Sequence, residues 1–178
     1  MSDNDTAVAG WKESIYQVLK RGNVKQVAYV PDAGHAHVIN RSHDDPDMNA
    51  VVLTTEEEGV ALGCGAWLGG QRSVLLMQSS GVGNCVNMFS LLHSCRIPFL
   101  TLITMRGEFA EFNAWQTPMS QATEGVLKAM GFRVVRVTHP DEVEEVVDAA
   151  LDSAFVAGEQ IAVLISQRLI GRKKWIKD

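Results

Sequence analysis

The sequence predicts an α/β fold: a parallel sheet of about six strands with helices on both faces. Two kinds of segment carry this. Short, mostly apolar runs such as 99–104 and 161–166 alternate with longer segments of helical period. Strands alternating with helices in this way fit a parallel sheet covered on both faces.

The elements follow in order. Residues 11–21 read as an amphipathic helix, with Ile15, Val18 and Leu19 on one face and Gly22 as its stop. Residues 26–30 make a short buried strand closed by Pro31, and the polar stretch 32–49 is a loop carrying a short helix around 36–41. A strand at 50–53 leads into a helix at 57–68, and a third strand follows at 73–77. Residues 83–93 form a helix with Val86, Phe89 and Leu92 at helical spacing, and Pro98 precedes a strand at 99–104. The stretch 106–117 is rich in aromatics and charges and too long for a simple connection. A helix at 119–130 stops at Gly131, and a strand at 132–137 follows. A helix at 140–156 opens on Pro140 and early acids, which suit the first turn, and a last strand occupies 161–166. The basic tail 168–177 is expected to be a solvated end or an edge packed on a partner. No linker or repeat divides the 178 residues, so one domain is expected, with an ordered core from about 10 to 170.

Composition narrows the function classes. A net charge of −5 offers no basic footprint for nucleic acid or an anionic membrane. No apolar run is long enough to span a bilayer, and the polar, acidic start lacks the features of a signal peptide, so a cytoplasmic protein is expected. Cys64, Cys85 and Cys95 match neither a disulfide framework nor a zinc pattern and read as small core residues.

The chemistry-bearing residues gather after strands, where ligands approach α/β sheets. Glu56, Glu57 and Glu58 follow the second strand at a helix N-terminus. A run of acids there compensates the helix dipole. Glu56 stands apart because it sits at the junction, where a carboxylate facing a cleft is poised for proton exchange. After the third strand comes Gln78-Ser79-Ser80-Gly81-Val82-Gly83-Asn84, a small-residue turn that permits close backbone approach. It is not a dinucleotide fingerprint, because Val86 takes the last glycine position, and there is no Walker lysine. His35 faces either a substrate or solvent, and His35 with His37 lacks the further ligands a metal needs. Arg106 follows the fourth strand, where a guanidinium suits an anionic group; the competing reading is a salt bridge to Glu108 or Glu111.

Together, 54–70, 78–84 with the helix after it, Arg96-Ile97-Pro98 and Arg106-Gly107 resemble the pyrimidine-binding (Pyr) domain of thiamine-diphosphate-dependent decarboxylases. Within that superfamily the chain is most similar to the alpha subunit of sulfopyruvate decarboxylases and to the N-terminal part of phosphonopyruvate decarboxylases. The resemblance runs from about Trp11 to Ile170. It implies that Glu56 reaches the aminopyrimidine of thiamine diphosphate, with Glu57 and Glu58 as alternatives. It also implies that Ser80, Gly81, Gly83 and Asn84 lie beside that ring, and that His35, Gln78 and Arg106 face the substrate. The family holds Mg²⁺ and the diphosphate on a Gly-Asp-Gly motif, which this sequence lacks. The resemblance therefore implies a partner: a PP-type beta subunit completing each site in a hetero-oligomer, with homo-oligomers possible for the isolated chain. The expected reaction is decarboxylation of a small anionic 2-oxo acid, 3-sulfopyruvate first. A 3-phosphonate analogue, or a non-catalytic Pyr-like scaffold, are the alternatives. One run departs from the family pattern: Pro31-Asp32-Ala33-Gly34-His35, where a small or hydroxyl residue is expected soon after the proline.

Overall fold

A computed structural model describes residues 3–171 of the protein, with side chains from residue 10 onward. Six strands form one sheet: β1 (Val24–Tyr29), β2 (Asn49–Val52), β3 (Arg72–Gln78), β4 (Phe99–Thr104), β5 (Arg133–Val137) and β6 (Gln160–Ile165). All neighbours are parallel, in the order β2-β1-β3-β4-β6-β5.

Strand residues alternate between two cores. Val74, Leu76, Leu100, Leu102, Val163 and Ile165 face one side. There they meet helices α1 (Asp3–Arg21), α2 (Ala36–Asp44) and α7 (Val143–Phe155) through Ile15, Leu19, Val38, Val147 and Leu151. Leu75, Met77, Phe99, Ile103 and Leu164 face the other. That side is covered by α3 (Glu56–Leu68), α4 (Val82–Cys85), α5 (Phe89–Cys95) and α6 (Thr117–Ala129) through Val60, Val82, Phe89 and Leu127. Each such aliphatic or aromatic side chain contributes about 1.5–3 kcal/mol of transfer free energy. Burial on both faces explains why the central strands β3, β4 and β6 read as largely apolar. The helix α3 comes close to the sheet because Gly59 and Gly63 face it: a Cβ on Gly59 would lie 2.4 Å from Leu75 Cδ1, and one on Gly63 2.7 Å from Phe99 Cε2.

Three elements differ from the sequence expectation, the first being α1, which begins at Asp3 rather than at Trp11. The helix expected at 83–93 is interrupted: Ser79–Gly81 is a 3₁₀ turn, α4 is one turn long, and α5 starts only at Phe89. Gly83, Asn84 and Asn87 are weak helix formers in this stretch. After β6, Gln167–Ile170 forms a short helix, α8, capped by Ser166 accepting from Arg168 N–H. The expected basic tail beyond Gly171 lies outside the described residues.

The strand order sets the site. The chain steps from β1 outward to β2, then crosses back to place β3 on the other side of β1. The crevice at such a reversal, above the C-terminal ends of β1 and β3, is where ligands enter α/β sheets.

Candidate active site

Two adjoining groups of polar residues occupy this edge, joined by the chain leaving β3. The first surrounds Glu56. As the first residue of α3, it is carried by the local geometry of a strand handing over to a helix, with Thr55 extended before it. Its carboxylate lies against Gly81: a Cβ built there would sit 2.4 Å from Glu56 Oε1 and 2.5 Å from its Cγ and Cδ. Asn84 Nδ2 donates to Glu56 Oε2 over 2.8 Å. The three glutamates thus part company. Glu56 is half-buried, whereas Glu57 and Glu58 are exposed. Glu58 Oε2 accepts from the Thr54 N–H at 2.8 Å and so ties down the free backbone at the helix start. Next to Glu56, burial first and then the Glu56 and Glu57 carboxylates push the Cys85 thiol far up, which keeps it protonated.

The turn after β3 is firmly held. Ser79 Oγ accepts from the Arg106 N–H at 3.1 Å and donates to Ser120 Oγ at 3.2 Å. Ser120 Oγ in turn donates to the Arg106 carbonyl. Ser80 is half-buried, and Gly83 is exposed with Met119 Sδ 3.1 Å from where its Cβ would be. Gly83 and Asn84 open the face beside Glu56 to solvent.

The second group lies over β1, β3, β4 and β6. Asp32, two residues beyond Val30, accepts from Gln78 Nε2 at 2.7 Å, Thr104 Oγ1 at 2.8 Å and the Gly34 N–H at 3.0 Å. Three strand ends are thereby fastened to one carboxylate. Gln78 Oε1 is buried with no partner among the described residues. A cleft beside Asp32 is lined by Gly34, Thr104, Arg106 and Gln167. Arg106 pairs with Glu111 through two parallel bonds, Nε to Oε2 and Nη2 to Oε1, each 2.7 Å. The Arg106 hydrogen bond is the largest influence that lowers the Glu111 carboxyl to about 2.

The chain is 34% identical over 154 residues to the sulfopyruvate decarboxylase subunit alpha of Methanococcus maripaludis, a match covering 86% of this chain and 92% of that protein. The chain belongs to the sulfopyruvate decarboxylase alpha-subunit family. A second likeness is 42% identity over 89 residues to a phosphonopyruvate decarboxylase of Streptomyces viridochromogenes, covering 49% of this chain and 22% of that protein. No family model matches. Among solved structures, a 2-oxoglutarate:ferredoxin oxidoreductase from Magnetococcus marinus superimposes with a TM-score of 0.71. That likeness has 14% identity over 93% of this chain and 31% of the other, and it concerns the fold.

Of the residues expected from the sulfopyruvate decarboxylase resemblance, Glu56, Gly81 and Asn84 come together, with Ser80 and Gly83 in the same turn. Gln78 lies in the neighbouring group. His35 is a correction. It is 1% exposed, and its Nε2 lies 3.0 Å from the Leu102 carbonyl oxygen. Burial, opposed by the Asp32 carboxylate, lowers its pKa, so the neutral ring is a buried strut between α2 and β4 rather than a substrate contact. For Arg106 the salt-bridge alternative describes this structure, with Glu111 and not Glu108 as partner; Glu108 reaches Arg136. The site residues not singled out beforehand are Asp32, Thr104 and Gln167; Glu111 is foreseen only as a salt-bridge partner of Arg106. Asp32, Thr104 and Gln167 carry the same signal as Glu56, a polar side chain at or just beyond the C-terminal end of a strand; Glu111, in the middle of a long connection, has no local signal of that kind.

Proposed function

We propose that this chain is the Pyr-type alpha subunit of a cytoplasmic, thiamine-diphosphate-dependent 2-oxo acid decarboxylase that converts 3-sulfopyruvate to sulfoacetaldehyde and carbon dioxide. The observation that carries the reading is the Glu56 carboxylate seated on Gly81 beside Asn84, in a chain of the sulfopyruvate decarboxylase alpha family.

The residues fit the cofactor. A carboxylate at the start of α3 and a glycine whose missing Cβ keeps the space beside it clear form a cradle open on the solvent side. Glu56 would hold the aminopyrimidine end, with the backbone at Gly81 and Gly83 lying against the ring. Thiamine diphosphate, when bound, supplies the electron sink that lets carbon dioxide leave. Glu56 then has one task, to hold a proton on Oε1 or Oε2, and Asn84 keeps the carboxylate oriented by occupying Oε2. Gln78, tied to Asp32, and Arg106 in the cleft wall are the groups this chain offers to the substrate.

A PP-type beta subunit with a Gly-Asp-Gly motif would bring Mg²⁺ and the diphosphate-binding half. Helix α3 supports a partner at this face. A surface helix normally sorts apolar residues to one side. Helix α3 instead buries Gly59, Val60 and Gly63 while Ala61, Gly65 and Leu68 face outward, Leu68 at 81% exposure. Nothing lies within 4 Å of a Cβ on Gly65, which leaves room for another backbone to approach.

The test is to co-produce the chain with a PP-type partner and follow sulfoacetaldehyde release from 3-sulfopyruvate, with phosphonopyruvate in parallel. Glu56→Gln should assemble normally yet lose roughly 10²–10⁴-fold in kcat, the usual range for a general acid–base group. Near-normal turnover in that variant would remove Glu56 from the role. A ratio of kcat/KM favouring phosphonopyruvate would move the substrate to the phosphonate, the reading favoured by the Streptomyces likeness. A complex with no cofactor and no turnover would leave the chain a scaffold.

A further inference from the structure

We propose that Glu111 is an internal competitor for the substrate's anionic group: it holds the Arg106 guanidinium at rest, and Arg106 turns from Glu111 to the anion when substrate enters the cleft. The inference rests on the reading of that cleft as the place of an anionic substrate. It adds a residue that sets how tightly such a substrate binds.

Four features support a guanidinium with two positions. Arg106 lines the cleft together with Thr104 and Gln167, and its side chain is 10% exposed. Its main chain is anchored at both polar groups: the N–H donates to Ser79 Oγ and the carbonyl accepts from Ser120 Oγ. The side chain is thus the part free to respond. Third, Glu111 presents its carboxylate to Arg106 with the two-point geometry that an oxyanion such as a sulfonate would also offer. An exchange of one anion for another leaves the guanidinium charge paired throughout, which avoids the penalty of a buried, unpaired cation.

The fourth feature decides whether Glu111 tolerates being left. Its Oε1 accepts from the Asn113 N–H at 2.9 Å; its Oε2 accepts from Gln167 Nε2 at 3.0 Å and the Gly107 N–H at 3.3 Å. Three donors remain after Arg106 departs. The segment carrying Glu111 is held as well, because Gln167 Oε1 accepts from the N–H groups of Glu108 and Phe109, each at 2.9 Å. A carboxylate so well supplied with donors is built to be stable with or without its arginine. In a purely structural ion pair, removal of the arginine leaves the carboxylate stranded.

Competition lowers apparent affinity by the fraction of time Arg106 is free, so removing the competitor raises it. The probe is 3-sulfopropanoate, an unreactive sulfonate, titrated calorimetrically into the chain assembled with its partner. Glu111→Gln is expected to bind it about tenfold more tightly than the parent, and Arg106→Met to bind it at least tenfold more weakly. Glu159→Gln removes a carboxylate paired with Arg133 at the opposite end of the sheet, and is expected to change affinity by less than about threefold. In the unmodified chain, the Arg106 Nε–H resonance should shift on addition of the sulfonate. This arm decides alone should Glu111→Gln fail to fold. Equal or weaker binding by folded Glu111→Gln, or an Arg106 resonance indifferent to saturating sulfonate, overturns the inference. The two readings fail separately. Sulfonate-dependent movement of Arg106 without turnover of 3-sulfopyruvate sinks the decarboxylase reading alone. Turnover with a motionless Arg106 sinks the exchange alone.

Discussion

Gly81→Ala is the sharpest perturbation the structure offers, because it separates stability from chemistry. The backbone at Gly81 has φ −69° and ψ −22°, ordinary for alanine, so the substitution introduces no strain there. At a position entering a helical turn, alanine is favoured over glycine by up to about 1 kcal/mol. The new methyl group would collide with Glu56, at 2.4 Å from Oε1 and 2.5 Å from Cδ and Cγ. Those atoms belong to the end of a flexible, half-buried side chain, which turns away and gives up its bond from Asn84. Loss of one such hydrogen bond costs about 0.5–1.5 kcal/mol, nearly cancelling the backbone gain. Net stability should thus stay within about 1 kcal/mol of the parent, while kcat of the assembled enzyme falls roughly 10²–10⁴-fold, as for loss of the glutamate itself. Thermal unfolding and steady-state release of sulfoacetaldehyde measure the two quantities. Gly125→Ala is the control: a Cβ there meets nothing within 4 Å, and the change should leave activity intact. A folded Gly81→Ala enzyme with parental kcat would refute the claim that the carboxylate must occupy this spot.

Other consequences are smaller. Glu57→Gln should be neutral for turnover and stability, and Glu58→Ala should lower stability by about 0.5–1.5 kcal/mol with kcat unchanged, since it only removes the acceptor of the Thr54 N–H. A large loss of turnover in either would return the catalytic assignment to the neighbouring acids. For the ion pair, Glu111 titrates near 2 in the folded chain instead of at its ordinary 4.5, so its stabilising contribution is fully present above about pH 4.5 and disappears as pH falls towards 2. The difference in Tm between parent and Glu111→Gln should shrink over that window; a constant difference down to pH 2 would contradict the pairing. Gly65→Leu should fold, as nothing lies near its Cβ, yet weaken capture of the partner subunit by at least tenfold on pull-down titration. Unaltered capture would take the outer face of α3 out of the interface.

How much of this was legible in the chain depends on how far apart the cooperating residues lie. The strands could be read because a sheet covered on both faces writes itself as short, largely apolar runs, and β4 at Phe99–Thr104 coincides with its run residue for residue. Glu56 could be read because the event that places it, a strand and a helix separated by only three residues, is local. The choice among three adjacent glutamates was not local: it turns on Gly81 and Asn84, and the bond from Asn84 spans 28 positions. The same holds for Asp32, whose partners Gln78 and Thr104 lie 46 and 72 positions away and are brought together by strand order alone. His35 shows the converse error. Its nearness to the end of β1 suggested the cleft, but it sits at the N-cap of α2, and its ring turns inward under the Leu102 carbonyl. Sequence thus identifies which residues arrive at the ligand-facing edge. Which of them stay free to act depends on the hydrogen bonds waiting there: Arg106 arrives where expected and is met by Glu111, and the three further donors on that carboxylate separate a spent cation from one that can be released.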